Sequence, residues 1–146
     1  MISLDTNILL YALNADCSEN KNARHFLNEL SSNKNVVVCE LVLVELYLLL
    51  RNPAVIKKAL SATKAAALCN SFRNHPRWRL VDCAPIMTKV WQLATHKNFA
   101  RRRIIDARLA FTLLHHGVTE FATHNVADFA DFGFSKVSDP IENKYS

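Results

Sequence analysis

Four acids stand where an acid has no ready structural use: Asp5 directly after a short apolar run, Glu45 and Asp106 inside apolar helical segments, and Asp128 shortly after another apolar run. Ionised carboxylates are rarely buried unless paired or bound to a cation. If the four converge, like charges about 4 Å apart repel by roughly 4 kcal/mol per pair at an effective dielectric near 20. Protons or a cation must then join them. A hard, oxygen-seeking divalent ion, Mg²⁺ or Mn²⁺, suits such a donor set. Its chemistry suits phosphodiester hydrolysis, because it acidifies water and neutralises charge on phosphoryl oxygens. Arg101, Arg102 and Arg103 run directly into the Asp106 segment, where they can hold a phosphate backbone beside the acids.

Each acid also has a plainer reading. Asp5 is equally a helix N-cap. Glu45 shares a stripe with Leu41, Leu48 and Leu49 at helical spacing, which should be the buried face. Asp106 aligns likewise with Leu109, Ala110 and Leu113, with an ion pair to Arg102 or Arg103 as the alternative. Asp128 also reads as a surface loop residue, and Asn125 as the cap of a turn.

The elements that must position these residues follow an α/β pattern, in which short Val, Ile and Leu runs alternate with helical periods. Strands are expected near Ile2 to Leu4, Val36 to Val38, Arg79 to Val81, Glu120 to Ala122 and Lys136 to Val137. Helices are expected at Asn7–Leu13, Asn20–Ser31, Leu41–Arg51, Pro53–Leu60, Thr63–Asn74, Pro85–His96 and Ile104–His116, with Gly117 as a C-terminal stop. Open parallel sheets place their sites outside the carboxyl ends of the strands, which is where Asp5 and the segment from Thr123 to Asp128 fall.

Half of the 146 residues are hydrophobic and Gly and Pro number only 2 and 4, so a single domain over residues 1–146 with one sizeable core is expected. The four cysteines lack metal-ligand or disulfide spacing and read as free thiols. The opening residues carry no basic stretch ahead of an apolar one, and the greasiest segment, Val36 to Leu50, is short for a membrane span and contains Glu40 and Glu45. A cytoplasmic protein is the expectation. The net charge of +5 favours an anionic partner.

The order of these acids and their flanks resembles the PIN-domain family, and within it the VapC-type toxins, over nearly the whole chain. Leu4-Asp5-Thr6-Asn7-Ile8-Leu9 is similar to the family's first motif, Leu43-Val44-Glu45-Leu46-Tyr47 to the second and Ile105-Asp106-Ala107-Arg108 to the third. Thr123-His124-Asn125-Val126-Ala127-Asp128-Phe129 is similar to the last, with Asn125 where many relatives carry an aspartate. The resemblance implies a Rossmann-like α/β/α domain around a mostly parallel sheet. It also implies Mg²⁺- or Mn²⁺-dependent endoribonuclease activity, an RNA substrate, a homodimer or higher homo-oligomer, and an antitoxin partner. Asp5, Glu45, Asp106 and Asp128 would be catalytic acids, and with Asn125 the metal ligands. Thr6, Asn7, Arg101, Arg102, Arg103, Thr123 and His124 would contact substrate. The dimer surface and antitoxin groove would lie on Asn20–Ser31 and Pro53–Asn74.

Trp78 and Trp91 read as core residues. Two other function classes stay open: a non-catalytic RNA-binding or regulatory module that keeps the fold, with Asn125 as the feature behind it, and a metal-dependent receiver-like domain, which also gathers acids at strand ends.

Overall fold

The computed structural model describes residues 1–142; the last four residues of the single domain expected over 1–146 lie outside the described residues. Five short strands form one sheet: β1 (Ile2–Leu4), β2 (Val36–Cys39), β3 (Arg79–Val81), β4 (Glu120–Ala122) and β5 (Lys136–Ser138), in the order β3-β2-β1-β4-β5 with every pairing parallel. The central β1 and β2 are wholly apolar-faced or buried, as strands covered on both sides must be.

Among the described residues seven helices connect the strands: α1 (Thr6–Leu13), α2 (Asn20–Leu30), α3 (Glu40–Leu50), α4 (Ala62–Arg73), α5 (Met87–Ala94), α6 (Arg103–His115) and α7 (Val126–Phe129). Parallel connections are right-handed, so the helices leading outward from β1 to β2 and β3 take one face, and those leading back to β4 and β5 take the other. The packing follows that rule: α1 lies on α2 and α3, α3 on α4, α5 on α6 and α6 on α7. The expected three-layer architecture is therefore present. The chain leaves β1 and β4, which are neighbours, in opposite directions, and the crevice between their carboxyl ends is the switch point of the sheet.

Leu4, Val36, Val37, Val38, Leu46, Leu113 and Phe121 are sealed in the core, where truncating Phe121 to Ala would cost about 3–5 kcal/mol. All four cysteines are free thiols. No helix of the described residues is long and apolar enough to cross a membrane.

Three expectations need correction. Pro53–Leu60 is not helical: the Asn52 carbonyl accepts from the N–H groups of both Val55 and Ile56, the Asn52 side chain accepts from the N–H of Ala54, and the Leu60 N–H is tied back to Leu50 at 2.9 Å. An eight-residue segment holding Pro, Val and Ile has little helical tendency of its own, and this closure forces it into a compact loop. Trp78 is in the core, donating its indole N–H to the Leu30 carbonyl at 2.9 Å, but Trp91 is 58% exposed. Residues 126–129, expected as loop, form the one-turn helix α7. Gly117 does stop α6, with φ +86°.

Candidate active site

Asp5 follows β1 and caps α1, its side chain accepting from the Thr6 N–H at 2.8 Å. Its second oxygen accepts from the Thr123 hydroxyl, at the end of β4, at 2.7 Å. The cap and the functional reading are thus one arrangement, because the capping carboxylate also faces the switch point. Thr6 Oγ1 turns to Glu45 Oε2 at 3.1 Å and joins the start of α1 to the middle of α3. Asn7 fixes the other margin, accepting from the His124 N–H at 3.3 Å and reaching Thr123 Oγ1 at 3.5 Å.

Asp5, Thr6, Asn7, Glu45, Arg102, Asp106, Asn125 and Asp128 line one pocket of about 300 Å³. Burial pushes the Asp5 carboxyl up to about 6 from its ordinary 3.8; the hydrogen bonds from Thr123 and Thr6 oppose the rise and the charges of Glu45 and Asp106 add to it. Burial likewise pushes Asp106 up to about 6, with the charges of Asp128 and Glu45 adding and Arg103 and Arg102 opposing. Carboxyls whose ionisation is opposed by burial and by one another, offering oxygen ligands in one pocket, fit a hard divalent cation, whose charge would offset the mutual repulsion.

Other expected residues fall outside this pocket or reach it differently. Glu45 is exposed, not buried: α3 sends Val42, Leu43, Leu46 and Leu50 into the core, leaving Val44 and Leu48 exposed beside Glu45. The helix is apolar on every side, so spacing alone gives two equal stripes, and the opposite one is buried. Arg101 is exposed and lines no part of the pocket. Arg103 donates to the Asp128 carbonyl at 3.2 Å and lies over the Phe132 ring at 4.5 Å, which anchors α6 to the α7 segment. Thr123 is fully buried behind Asp5.

His124 is turned away to Asp139 Oδ2, 2.8 Å from its Nδ1, with the Tyr11 ring edge-on at 5.6 Å. With Glu142 these two form a group whose ligand-capable atoms lie within 4.8 Å of one another. Asp139 was missed in the sequence, although it follows β5 just as Asp5 follows β1, and the strand-end rule applied to all five strands finds it.

Beside the carboxylate pocket, and sharing Glu45, Arg102 and Ile105 with it, runs an open groove of about 490 Å³ between α3, α5 and α6. Five large hydrophobics stand exposed on these three helices: Val44, Leu48, Met87, Trp91 and Ile105.

A model of the PIN domain matches residues 2–137. The sequence is 57% identical to Ribonuclease VapC24 of Mycobacterium tuberculosis over 141 residues, 97% of each chain, in two strains. Among solved structures, Mycobacterium tuberculosis VapC20, described as a Sarcin-Ricin loop cleaving toxin, matches with a TM-score of 0.68 at 20% identity, over 92% of this chain and 96% of that one. FitAcB from Neisseria gonorrhoeae matches with a TM-score of 0.61 at 23% identity, over 96% and 98%. At such identities the structural likeness speaks for the fold.

Proposed function

The chain belongs to the PIN-domain family, in its VapC branch, and from that premise we propose that it is a metal-dependent endoribonuclease that hydrolyses RNA phosphodiester bonds in the cytoplasm as the toxin of a toxin-antitoxin pair. The observation that carries this reading is the meeting of Asp5, Glu45, Asp106 and Asp128 with Arg102 in one pocket at the switch point of the sheet.

Asp5, Glu45 and Asp106 would hold Mg²⁺ or Mn²⁺, with Asp128 and Asn125 completing the set. When bound, the ion supplies an acidified water and offsets negative charge on the phosphoryl oxygens. The remaining work belongs to the chain. Thr6 and Thr123 fix the two oxygens of Asp5 and so set the direction of its lone pairs. Thr6 does the same for Glu45. Arg102 brings a permanent cation to the rim, where it can neutralise a scissile or adjacent phosphate. Asn7, braced by His124 and Thr123, presents a polar edge to the sugar-phosphate backbone.

A partner subunit fits the apolar groove. We assign that groove to a second copy of the chain, related by a two-fold axis. One patch holds both the apolar stripe of Val44, Leu48 and Ile105 and the opposite charges of Glu45, Arg102 and Arg108, so it is complementary to itself. On this proposal the dimer surface lies on α3, α5 and α6 rather than on Asn20–Ser31 and Pro53–Asn74. The antitoxin's role is to close the carboxylate pocket.

The test is cleavage of total RNA by purified protein with Mg²⁺ or Mn²⁺, against an EDTA control and the Asp5→Ala and Asp106→Ala variants. Discrete metal-dependent products, lost in both folded variants, are expected. Folded, metal-replete protein that cuts no RNA would shift the reading to the non-catalytic module.

A further inference from the structure

Between Glu45 and Asp82 the chain carries seven lysines and arginines and no acid. The whole chain has a net charge of only +5, so the rest of the molecule is net acidic. Four of these cations, Arg51, Lys57, Lys58 and Lys64, fall where α3 ends and α4 begins, and all four are exposed. Among the described residues Lys57, Lys58 and Lys64 pair with no acid.

The loop that carries them is held firmly. The Leu60 N–H closes it onto the Leu50 carbonyl at 2.9 Å, Ile56 is buried at 8% exposure, and Asn52 receives its internal turn bonds. Ile56 therefore anchors the loop in the core and leaves Lys57 and Lys58 facing solvent next to it. Arg51 is laid back along α3, donating to the Tyr47 hydroxyl at 3.1 Å with its guanidinium 5.7 Å over the ring. Side chains held in place by such contacts lose less freedom on binding.

The cluster also follows directly on the helix that carries Glu45. Arg51 is six residues beyond Glu45, about 9 Å along the helix axis, and Leu49, between them, still lines the carboxylate pocket. The pocket thus has a cation on its rim, Arg102 just ahead of α6, and from Leu49 on its wall the chain runs on into the cationic loop where α3 stops. A polyanion that leaves the acids past Leu49 and follows α3 to its end would reach the loop, whereas a single phosphate held at Arg102 would not.

We propose that the loop from Arg51 to Leu60 and the start of α4 form a second phosphate-backbone site, which grips RNA some nucleotides away from the bond cut at the carboxylates and makes the enzyme select extended RNA over short fragments. This rests on the ribonuclease reading and adds to it the substrate class that the site prefers.

The experiment measures RNA binding and cleavage separately. In an Asp106→Asn background, which keeps RNA intact, fluorescence anisotropy reads the Kd of single-stranded RNAs of about 20 and about 4 nucleotides. The Lys57→Glu/Lys58→Glu pair should raise Kd for the longer RNA at least tenfold and leave the shorter one unchanged. The milder Lys57→Ala/Lys58→Ala pair should lower the slope of log Kd against log salt by about 1.4, from two lost single-strand contacts. A Lys21→Glu/Lys136→Glu control changes net charge equally at exposed sites elsewhere and should have a far smaller effect. Equal weakening by the control, or an unchanged Kd for the longer RNA in the folded loop variants, overturns the proposal. Wild-type protein that binds RNA in this pattern but cuts none breaks the nuclease reading and leaves the second site standing.

Discussion

On one wall of the carboxylate pocket Asp5 is 8% exposed and both its oxygens are occupied, by the Thr6 N–H and the Thr123 hydroxyl, inside the crevice between two central strands. On the other wall Glu45 and Asp106 stand on α3 and α6 among the exposed Val44, Leu48 and Ile105. The first wall is already tied by its own hydrogen bonds. The second is framed by helix faces whose apolar surroundings call for a partner. A pocket built this way can hold an ion from its buried side and let a second subunit complete its open side.

The most severe way to break this contrast is to remove charge from the open wall. Asp106→Asn should lower the cleavage rate by about a thousandfold. Asp106 also repels Asp128 and Glu45, so its amide should leave the metal-free melting temperature unchanged or higher, read by circular dichroism. A large fall in melting temperature would make Asp106 structural and sink its place among the ligands.

On the buried wall the test is the group behind the ligand. Thr123→Val keeps the shape of the side chain and removes the hydroxyl that fixes Asp5. A loss of about 10–100-fold in metal affinity or activity is expected, the usual cost of losing such a support. Full activity in a folded Thr123→Val protein would show that the strand crevice alone orients Asp5.

The two walls also differ in how far the sequence discloses them. Asp5 and Thr123 come directly after strands that are apolar and bounded, so their place at the switch point is readable from the chain. The five strands, at nearly their full lengths, are readable for the same reason. Glu45 lines the pocket, but the stripe it shares with Leu41, Leu48 and Leu49 is not the buried one: α3 is apolar all round, and only packing against α1, α4 and the sheet decides which side is buried. The same ambiguity hides the exposure of Trp91, since a large aromatic looks like core until its neighbours are known. The loop after Asn52 was hidden differently, since its form depends on the bond from Leu60 back to Leu50 and on the burial of Ile56. Asp139 is legible by the same strand-end rule, since it directly follows β5.

If the open wall is completed by a second copy, a charge placed on it should separate the copies. Val44→Glu with Leu48→Glu, at side chains 60% and 62% exposed, should leave the monomer folded and raise the dimer Kd at least tenfold in sedimentation equilibrium, two buried charges being costly to desolvate. An unchanged dimer would move the interface to another face.

Acidity separates the walls by a smaller margin. Asp5 protonates at about 6 in the folded chain and at its ordinary 3.8 when unfolded, so between those values the folded state binds more protons. The destabilisation is complete above about 6 and is relieved as pH falls through the window. Metal-free protein should therefore gain about 1 kcal/mol from Asp5 between pH 7 and 5. Asp106 shifts in the same direction with more solvent around it and adds less. The gain should disappear in Asp5→Asn and be cancelled by saturating Mg²⁺, for which protons compete. Denaturant melts at the two pH values, with and without Mg²⁺, decide this; a gain that survives in Asp5→Asn would have to come from other carboxyls.

Asn125 lies where the two walls meet, exposed on the pocket rim just ahead of α7, with its backbone N–H committed to Thr123 Oγ1 at 3.0 Å and its side chain free of that bond. As an amide it offers oxygen without charge, so it relieves the repulsion among Asp5, Asp106 and Asp128 while weakening the pull on a cation. Asn125→Asp should reverse both. An added charge at an exposed position is worth about 0.5–1 kcal/mol, so the Mg²⁺ half-saturation concentration should fall by about two- to fivefold, and the metal-free protein should lose a few tenths of a kcal/mol. Metal titration followed by cleavage rate, with parallel melts, reads the two effects together. If neither moves, Asn125 is a turn residue of the α7 segment and the ligand set closes with the acids.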